Sequence, residues 1–344
     1  AVFLSAFTTK AAVYTLMRGF PGTELLVYVG LFMVFYGIIY ALLENDMRRI
    51  LAYSVVNQVG FMVAGIGIGT TMALNGVAAH AFAHIIYKSL LFMSAGSVLY
   101  MSGRCKCTDL GGLFRSMPVT TLCAIIGAVS TIGFPLTSGF ISKSMVVEAA
   151  ADQDLAIIWF LLIAASAGVF LHAGGKFPWF VFFHRDSGLR PPDPPLNMRI
   201  AMILFAGLCI GIGVMPATLY NLLPYPVEYL PYTGAHVVQT LQLLLFSGLA
   251  FFLMLPVLPR TLTITLDSDW FYRRLLPLGV QRLLARSQPL DTAIRRGAGG
   301  IVNGMIAALS RYYAPQGFLA RTWPTGSMVL WVAVLLGAYL LAYL

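Results

Sequence analysis

Three side chains that can carry a proton recur at four-residue spacing inside an apolar stretch: His80, His84 and Lys88. Residues four apart lie on one face of a helix, so these side chains form a single stripe. Neutral histidine both donates and accepts a proton near pH 7. The spacing predicts a water-linked proton relay over about two helical turns (~11 Å); packing as hydrogen-bonded core residues is the alternative. Two histidines without a carboxylate on that face make a poor metal site, so we expect none.

A second candidate is Lys143, which follows a stretch rich in helix-breaking residues. Pro135 removes a backbone donor and clashes with the preceding turn, while Gly133 and Gly139 loosen its flanks. We expect the helix to break midway, as in the discontinuous helices that mark ion sites in transporters. The alternative is a simple proline kink, with Lys143 at the outer interface.

Two more lysines, Lys10 and Lys176, interrupt apolar stretches. A charge near the middle of a bilayer costs about 2.5–3.5 kcal/mol on insertion scales, so each lysine needs a reason to be there. Lys10 falls near the centre of its segment, where its side chain is too far from either end to reach the interface. Lys176 is nearer a helix end, where its aliphatic stem can reach the interface, and we leave it out of the path.

The elements that must position these groups are transmembrane helices. Of the 344 residues, 59% are hydrophobic and 10% are charged, against roughly 25% charged in soluble domains. Apolar stretches of about 20 residues recur along the chain and predict an all-α, polytopic membrane protein with about nine spans. We place these spans near 1–20, 23–43, 50–69, 75–101, 117–147, 155–183, 197–220, 236–258 and 326–344.

Basic residues alternate between the predicted connections. Every second connection carries them: Arg48, Arg49, Arg104, Lys106, Arg115, Arg185, Arg190 and Arg199. The connections between these hold acidic residues and no Lys or Arg, so the positive-inside rule makes the basic ones cytoplasmic. The net charge of +9 is thus a topology signal and gives no reason to expect nucleic acid. We expect a multi-pass protein of the bacterial inner (plasma) membrane.

The connection 259–325 differs from the others because its arginines are spaced among aliphatic and aromatic residues. This pattern is typical of an amphipathic helix that lies at the membrane surface or against another subunit of a complex. The alternative is a solvated cytoplasmic loop.

Several kinds of chemistry lack support in the sequence. No Asp or Glu lies deep in a predicted helix, and hard cations prefer several oxygen ligands, so the path suits protons better than sodium. The four cysteines form no paired metal-binding motif, and no phosphate-binding loop or nucleophile–histidine array is visible. We expect no cofactor, no metal and no catalytic chemistry of the chain's own. Counter-charges for the lysines are expected from upstream helices or from a neighbouring protein of the same complex.

Four ordered motifs carry a family resemblance. They are SAFTTKAAVY at 5–14, DMRRILAYS at 46–54 with NQVG at 57–60, the histidine–lysine stripe continuing to Phe92, and GFISK at 139–143. They resemble the antiporter-like subunits shared by Mrp-type multisubunit Na+/H+ antiporters and respiratory complex I. By this resemblance, Lys10 is the central connecting lysine, His80, His84 and Lys88 relay protons between channels, and Lys143 is the terminal exchange residue.

The resemblance also implies two inverted five-helix repeats, each with a broken helix. On that template, 1–22 is the last helix of the first repeat, 23–185 the second repeat, 186–258 two further transmembrane helices, 259–325 the basic amphipathic connection and 326–344 the C-terminal helix. Residue 1 is an alanine within an apolar stretch. We therefore expect upstream helices that carry the first repeat's lysine and its paired glutamate.

Two branches of the family remain open. The stretches 176–178, 182–183 and 224–226 are most similar to the D subunit of Mrp antiporters. That similarity implies a proton-translocating subunit of a monovalent cation (Na+)/proton antiporter, with other membrane subunits as partners. The connection 259–325 is similar to the lateral helix of the distal subunit in complex I. The alternative is therefore a proton-pumping subunit of complex I or of a membrane-bound hydrogenase, followed by a stand-alone transporter and a structural scaffold.

Overall fold

The computed structural model describes residues 2–257, 269–315 and 317–343, which form helices joined by turns and loops. By chain contacts they belong to two compact units, Ala1–Thr265 and Leu266–Leu344. Seven helices in the described part are long and apolar enough to cross a membrane. In chain order these are α2 (Glu24–Leu43), α3 (Met47–Ile68), α4 (Thr71–Ser102), α7 with its extension (Ala156–Phe183), α8 (Leu196–Val214), α10 (Gly234–Met254) and α12 (Thr325–Tyr343). A short helix, α9 (Pro216–Tyr220), lies between α8 and α10 in the chain. The prediction of an all-α, polytopic membrane protein is confirmed.

The other two predicted spans have a different form. The first is a π-helical turn, Leu4–Thr8, that continues into α1 (Thr9–Gly19). The second is a pair of half-helices, α5 (Pro118–Ile132) and α6 (Ser138–Asp152), separated by five non-helical residues. The long interrupted segment of the sequence is therefore two helices end to end, because the Gly–Phe–Pro–Leu–Thr sequence cannot continue the first one.

Helix α4 forms the centre of the first unit. It packs against α3, α5, α6 and α8, and the helix is buried on nearly all sides. Apart from the histidine–lysine stripe, α4 is largely apolar, so it has no broad polar face that needs solvent. The carriers of charge on α4 are consequently enclosed by protein.

The arginine-bearing connections meet at one end of this unit. The chain before α3 pairs with the chain after α4, through Met47 N–H to the Cys105 carbonyl at 2.9 Å and Cys107 N–H to the Asn45 carbonyl at 2.8 Å. The third basic connection joins them at the start of α5, where the Asp193 carboxylate accepts the N–H of Val119 at 3.1 Å. The three connections predicted to share one side of the membrane thus lie together.

The second unit contains α11 (Leu276–Tyr313), a helix of 38 residues, and α12. The described side chains of α11 are exposed almost throughout, and Pro289 lies inside it. The solvated-loop alternative for 259–325 is therefore wrong over Leu276–Tyr313. Residues 259–268 and 316 of that connection lie outside the described part of the chain.

Candidate proton path

Helices α1 and α4 bring Lys10 into contact with His84. Lys10 Nζ lies 2.5 Å from His84 Nδ1, 3.0 Å from the Ser5 carbonyl oxygen and 3.3 Å from Thr9 Oγ1. An ammonium has three donors, and these three acceptors match them. The π-helical turn before α1 contributes Ser5, one of the three acceptors. The lysine of the first span and the stripe of α4 are therefore one connected site.

A chain of amides fixes the orientation of His80. The Val34 carbonyl accepts from Asn57 Nδ2 at 3.0 Å, Asn57 Oδ1 accepts from Gln58 Nε2 at 2.7 Å, and Gln58 Oε1 lies 3.0 Å from His80 Nε2. A backbone carbonyl only accepts, so each amide in turn must point its oxygen onward. His80 Nε2 therefore carries the hydrogen in the neutral ring, and Nδ1 holds the lone pair.

The free nitrogen of His80 faces the broken helix. His80 Nδ1 lies 3.3 Å from Ser142 Oγ on α6, next in the chain to Lys143. The same serine hydroxyl lies 3.0 Å from the Ser138 carbonyl and 3.4 Å from the Gly139 carbonyl, so its hydrogen has three possible acceptors. The stripe of α4 is thus joined to α6, the half-helix that carries Lys143.

The step between the two histidines is longer. The ring centres of His80 and His84 are 6.3 Å apart, which excludes a direct hydrogen bond. Within the described residues, His84 Nε2 is buried without a hydrogen-bond partner. The Tyr87 hydroxyl lies 3.5 Å from His80 Nε2. The centre of the Tyr87 ring is 5.3 Å from the centre of the His84 ring. A proton that passes between the two rings therefore needs an intermediate carrier, such as a water or the Tyr87 hydroxyl.

Lys143 is the buried cation of the broken helix. It is 5% exposed, and its Nζ has no hydrogen-bond partner among the described residues. Instead, Nζ lies over the ring of Phe61, 4.6 Å from the centroid, a geometry in which the negative face of the ring attracts a cation. A cavity of about 290 Å³ opens beside it, lined also by Glu148, His236 and Gln239.

The two half-helices are held tightly at the break. Gly133 closes α5 with φ of +79°, and Leu136 also has a positive φ, +69°. Gly139 lies so close to the Ser130 carbonyl that a Cβ at this position would overlap it. Ser130 Oγ and Ser138 Oγ are 3.0 Å apart across the gap. Gly133, Pro135 and Gly139 therefore all fall in or beside the interruption.

Lys88 does not continue the line toward Lys143. Its Nζ donates to Ser54 Oγ on α3 at 2.5 Å, and the same oxygen lies 3.0 Å from His172 Nε2. The sequence reasoning missed His172, as it missed the roles of Gln58 and Ser54. His172 lies in an apolar stretch four residues before Lys176, so the spacing rule that singled out the α4 stripe also applies to it.

The ammonium of Lys176 lies at a helix end, that of α2, where protein encloses it. Its side chain is 7% exposed, and its ammonium donates to the carbonyls of Ala41 at 3.2 Å, Glu44 at 2.6 Å and Leu42. These carbonyls end α2, where a helix lacks backbone partners and carries partial negative charge. Lys176 is a cap of α2.

Comparison with known proteins connects this arrangement to one family. Residues 1–170 match the family model described as NADH:quinone oxidoreductase/Mrp antiporter, transmembrane. The A/B subunit of a probable K(+)/H(+) antiporter of Rhizobium meliloti is 31% identical over 62% of this chain and 23% of its own length. The D subunit of the Na(+)/H(+) antiporter of Alkalihalophilus pseudofirmus is 36% identical over 46% of this chain and 34% of its own length.

A third relative belongs to a respiratory complex. The L subunit of NADH-quinone oxidoreductase from Neisseria meningitidis is 37% identical over 53% of this chain and 30% of its own length. This chain therefore spans only about a quarter to a third of these three relatives, at 23%, 34% and 30%.

Two solved structures share the fold. The Mrp complex of a Dietzia species aligns with a TM-score of 0.57 at 20% identity, over 63% of this chain and 50% of that one. The archaeal membrane-bound sulfane sulfur reductase aligns with a TM-score of 0.61 at 23% identity, over 98% of this chain and 62% of that one.

Proposed function

We propose that this chain, which belongs through residues 1–170 to the NADH:quinone oxidoreductase/Mrp antiporter family, translocates protons as one subunit of a multisubunit monovalent cation (Na+)/proton antiporter. The observation that carries the proposal is the buried series of protonatable groups from Lys10 through His84 and His80 to Ser142 and Lys143. Charged groups enclosed in a membrane bundle are costly and mark ion pathways.

The proposed transfer uses both nitrogens of each ring. The Nδ1 of His84 exchanges a proton with Lys10, and a bridging water or the Tyr87 hydroxyl carries the proton between the two histidines. At His80, Nδ1 faces Ser142 and Nε2 faces Gln58 and Tyr87. One ring nitrogen binds a proton while the other releases a different proton. The net result is transfer across the ring without any movement of the backbone.

Lys143 is proposed as the group that exchanges protons with the cavity beside the break. Its ammonium has only an aromatic ring for support among the described residues, so its charged form is weakly held and the lysine can release its proton. Glu148 and His236 line the same cavity and would accept that proton on its way out. No carboxylate contacts the lysines and histidines of the path in the described residues, and Glu148 lies only across the cavity, which favours protons over sodium as the ion that this chain carries.

We further propose that the chain works beside other membrane subunits in the bacterial inner membrane. Relatives named as the A/B and D subunits of antiporters support such an assembly. Neighbouring subunits and upstream helices would then supply the counter-charges of Lys10 and Lys143. We place the Na+ site of the exchange in the neighbouring subunits.

A proton-pumping role in a redox complex is the second candidate. It is favoured by the likeness to the L subunit of NADH-quinone oxidoreductase and by the long helix α11 that follows the bundle. In such a complex, electron transfer in other subunits would drive the same path.

The deciding experiment follows proton gradients in inverted membrane vesicles that carry the full-length complex. Wild type and Lys143→Ala are compared after addition of sodium and, separately, of NADH. A sodium-driven gradient that the substitution abolishes supports the antiporter. A gradient driven only by NADH and lost in the variant assigns the chain to a redox pump, and an unaffected variant under both drives removes Lys143 from the path.

A further inference from the structure

Lys88, Ser54 and His172 form a second series of buried protonatable contacts, separate from the one that ends at Lys143. All three side chains are 0% exposed. Lys88 Nζ lies 2.5 Å from Ser54 Oγ, and Ser54 Oγ lies 3.0 Å from His172 Nε2. The series joins three different helical segments, on α4, α3 and the extension of α7.

The hydrogen bonds of this series all run in one direction. His172 Nδ1 lies 3.0 Å from the Gly168 carbonyl, which only accepts, so Nδ1 carries the hydrogen of the neutral ring. The lone pair of Nε2 is therefore turned toward Ser54. The serine donates its hydroxyl hydrogen to Nε2 and accepts from the ammonium of Lys88. Donor and acceptor roles at each atom are those required for a proton to pass from Lys88 to His172.

A departure from α-helical geometry places His172 in this position. The segment Phe170–Lys176 is a π-helical run of seven residues. One extra residue per turn changes which side chains face the bundle, and π-helical turns are frequent at functional sites. Lys176, one turn further along, cannot receive the proton, because its ammonium is already charged and held by three carbonyls.

We propose that His172 is a proton-loading residue that exchanges one proton with Lys88 through the hydroxyl of Ser54, an inference that rests on the proposed function. The ammonium of Lys88 gives a proton to Ser54 Oγ while the hydroxyl hydrogen moves to His172 Nε2. Lys88 becomes a neutral amine and His172 an imidazolium, so no proton is gained or lost. The fixed charge of Lys176 one turn away repels the imidazolium, which makes the loaded state short-lived and returns the proton to Lys88.

The test measures proton transport in vesicles carrying the full-length complex, for Ser54→Ala, Ser54→Thr and His172→Gln. We expect Ser54→Ala and His172→Gln to lower the rate about tenfold or more, as loss of a proton-transfer group does. Ser54→Thr keeps the hydroxyl and should retain the wild-type rate. Ser94→Ala is the matched control, since Ser94 is equally buried but donates to the Leu90 carbonyl outside the series. Wild-type rates for both Ser54→Ala and His172→Gln, in complexes that assemble normally, would overturn the proposal.

A second measurement separates this inference from the proposed function. The proposed function fails if neither sodium nor NADH drives a proton gradient that depends on Lys143. In that case the histidine ¹⁵N resonances of the labelled complex still test whether His172 shares a proton with Lys88. Its signal is identified by its loss in His172→Gln. A His172 resonance that shifts in Ser54→Ala and in Lys88→Gln supports the shared proton, whereas one that shifts in neither contradicts it.

Discussion

Lys143 and Phe61 form a cation–π contact in the interior of the bundle, with the ammonium 4.6 Å from the ring centroid. Phe61 belongs to α3 and is itself 0% exposed. The ammonium has no hydrogen-bond partner among the described residues. The charged form of Lys143 is thus stabilised by an aromatic face, with no acid paired to it in the described residues.

Replacing Phe61 by Leu should therefore change proton transport. A cation–π contact contributes about 0.5–2 kcal/mol, which corresponds to roughly a two- to thirtyfold change in the protonation equilibrium of the lysine. We expect Phe61→Leu to slow ion-driven proton movement in vesicles and Phe61→Tyr to preserve it. Phe251→Leu is the control, because Phe251 is equally buried but faces Phe252. Equal effects of Phe61→Leu and Phe251→Leu would show that the loss is one of packing alone.

The orientation of His80 depends on Gln58, and Gln58→Glu tests that dependence. A carboxylate 3.0 Å from His80 Nε2 would hold the imidazolium by charge, so the proton would stay on the ring. We expect slower proton transport per assembled complex, measured in the same vesicle assay. We also expect a lower thermal midpoint of the solubilised complex, because a glutamate cannot donate to Asn57 Oδ1 as Gln58 Nε2 does. An unchanged transport rate would mean that His80 is not part of the path.

The close approach at the break makes Gly139 intolerant of substitution. A Cβ at Gly139 overlaps the Ser130 carbonyl, whereas a Cβ at Gly207 of α8 meets nothing within 4 Å. Gly139→Ala should destabilise the protein by about 1–3 kcal/mol, as overpacking does. Gly207→Ala should leave the thermal midpoint nearly unchanged. Equal midpoints for the two variants would contradict the tight contact between the half-helices.

The two buried lysines Lys143 and Lys176 should respond differently to replacement by Met. Lys176→Met leaves the carbonyls at the end of α2 without their donor, and each buried acceptor left unpaired costs about 1–3 kcal/mol. We expect lower stability and less assembled complex, with the remaining complex still transporting protons. Lys143→Met should assemble normally and fail to transport. Thermal unfolding and transport per assembled complex, measured on both variants, check this separation.

The sequence predicted the features that depend on local spacing. The histidine–lysine stripe of α4 follows from residues four apart, and the interruption between α5 and α6 follows from Pro135 with its flanking glycines. The alternation of basic connections also agrees with their meeting at one end of the first unit. Each of these patterns can be recognised from residue types and their spacing along the chain, so predicting them requires no knowledge of the packing.

The features that the sequence did not predict depend on contacts between distant residues. The amide chain from Val34 to His80 joins three helices, and nothing in the spacing of Asn57 and Gln58 indicates it. His172 reaches Ser54, 118 positions away in the chain, from a π-helical run that ordinary helical periodicity does not describe. The position of Lys176 near a helix end is visible in the sequence, but the carbonyls of α2 that accept from its ammonium are not.

The contact between Gly139 and the Ser130 carbonyl, together with the serine pair across the break, also limits how the protein can operate. Sliding or rotation of the two half-helices past each other would break both contacts, which disfavours a hinge at the interruption. We therefore expect access to Lys143 from either side to change through rotation of its four-carbon side chain. Side-chain rotations are far faster than backbone rearrangements. We therefore expect the rate of turnover to be limited by the process that drives transport, which lies outside this bundle.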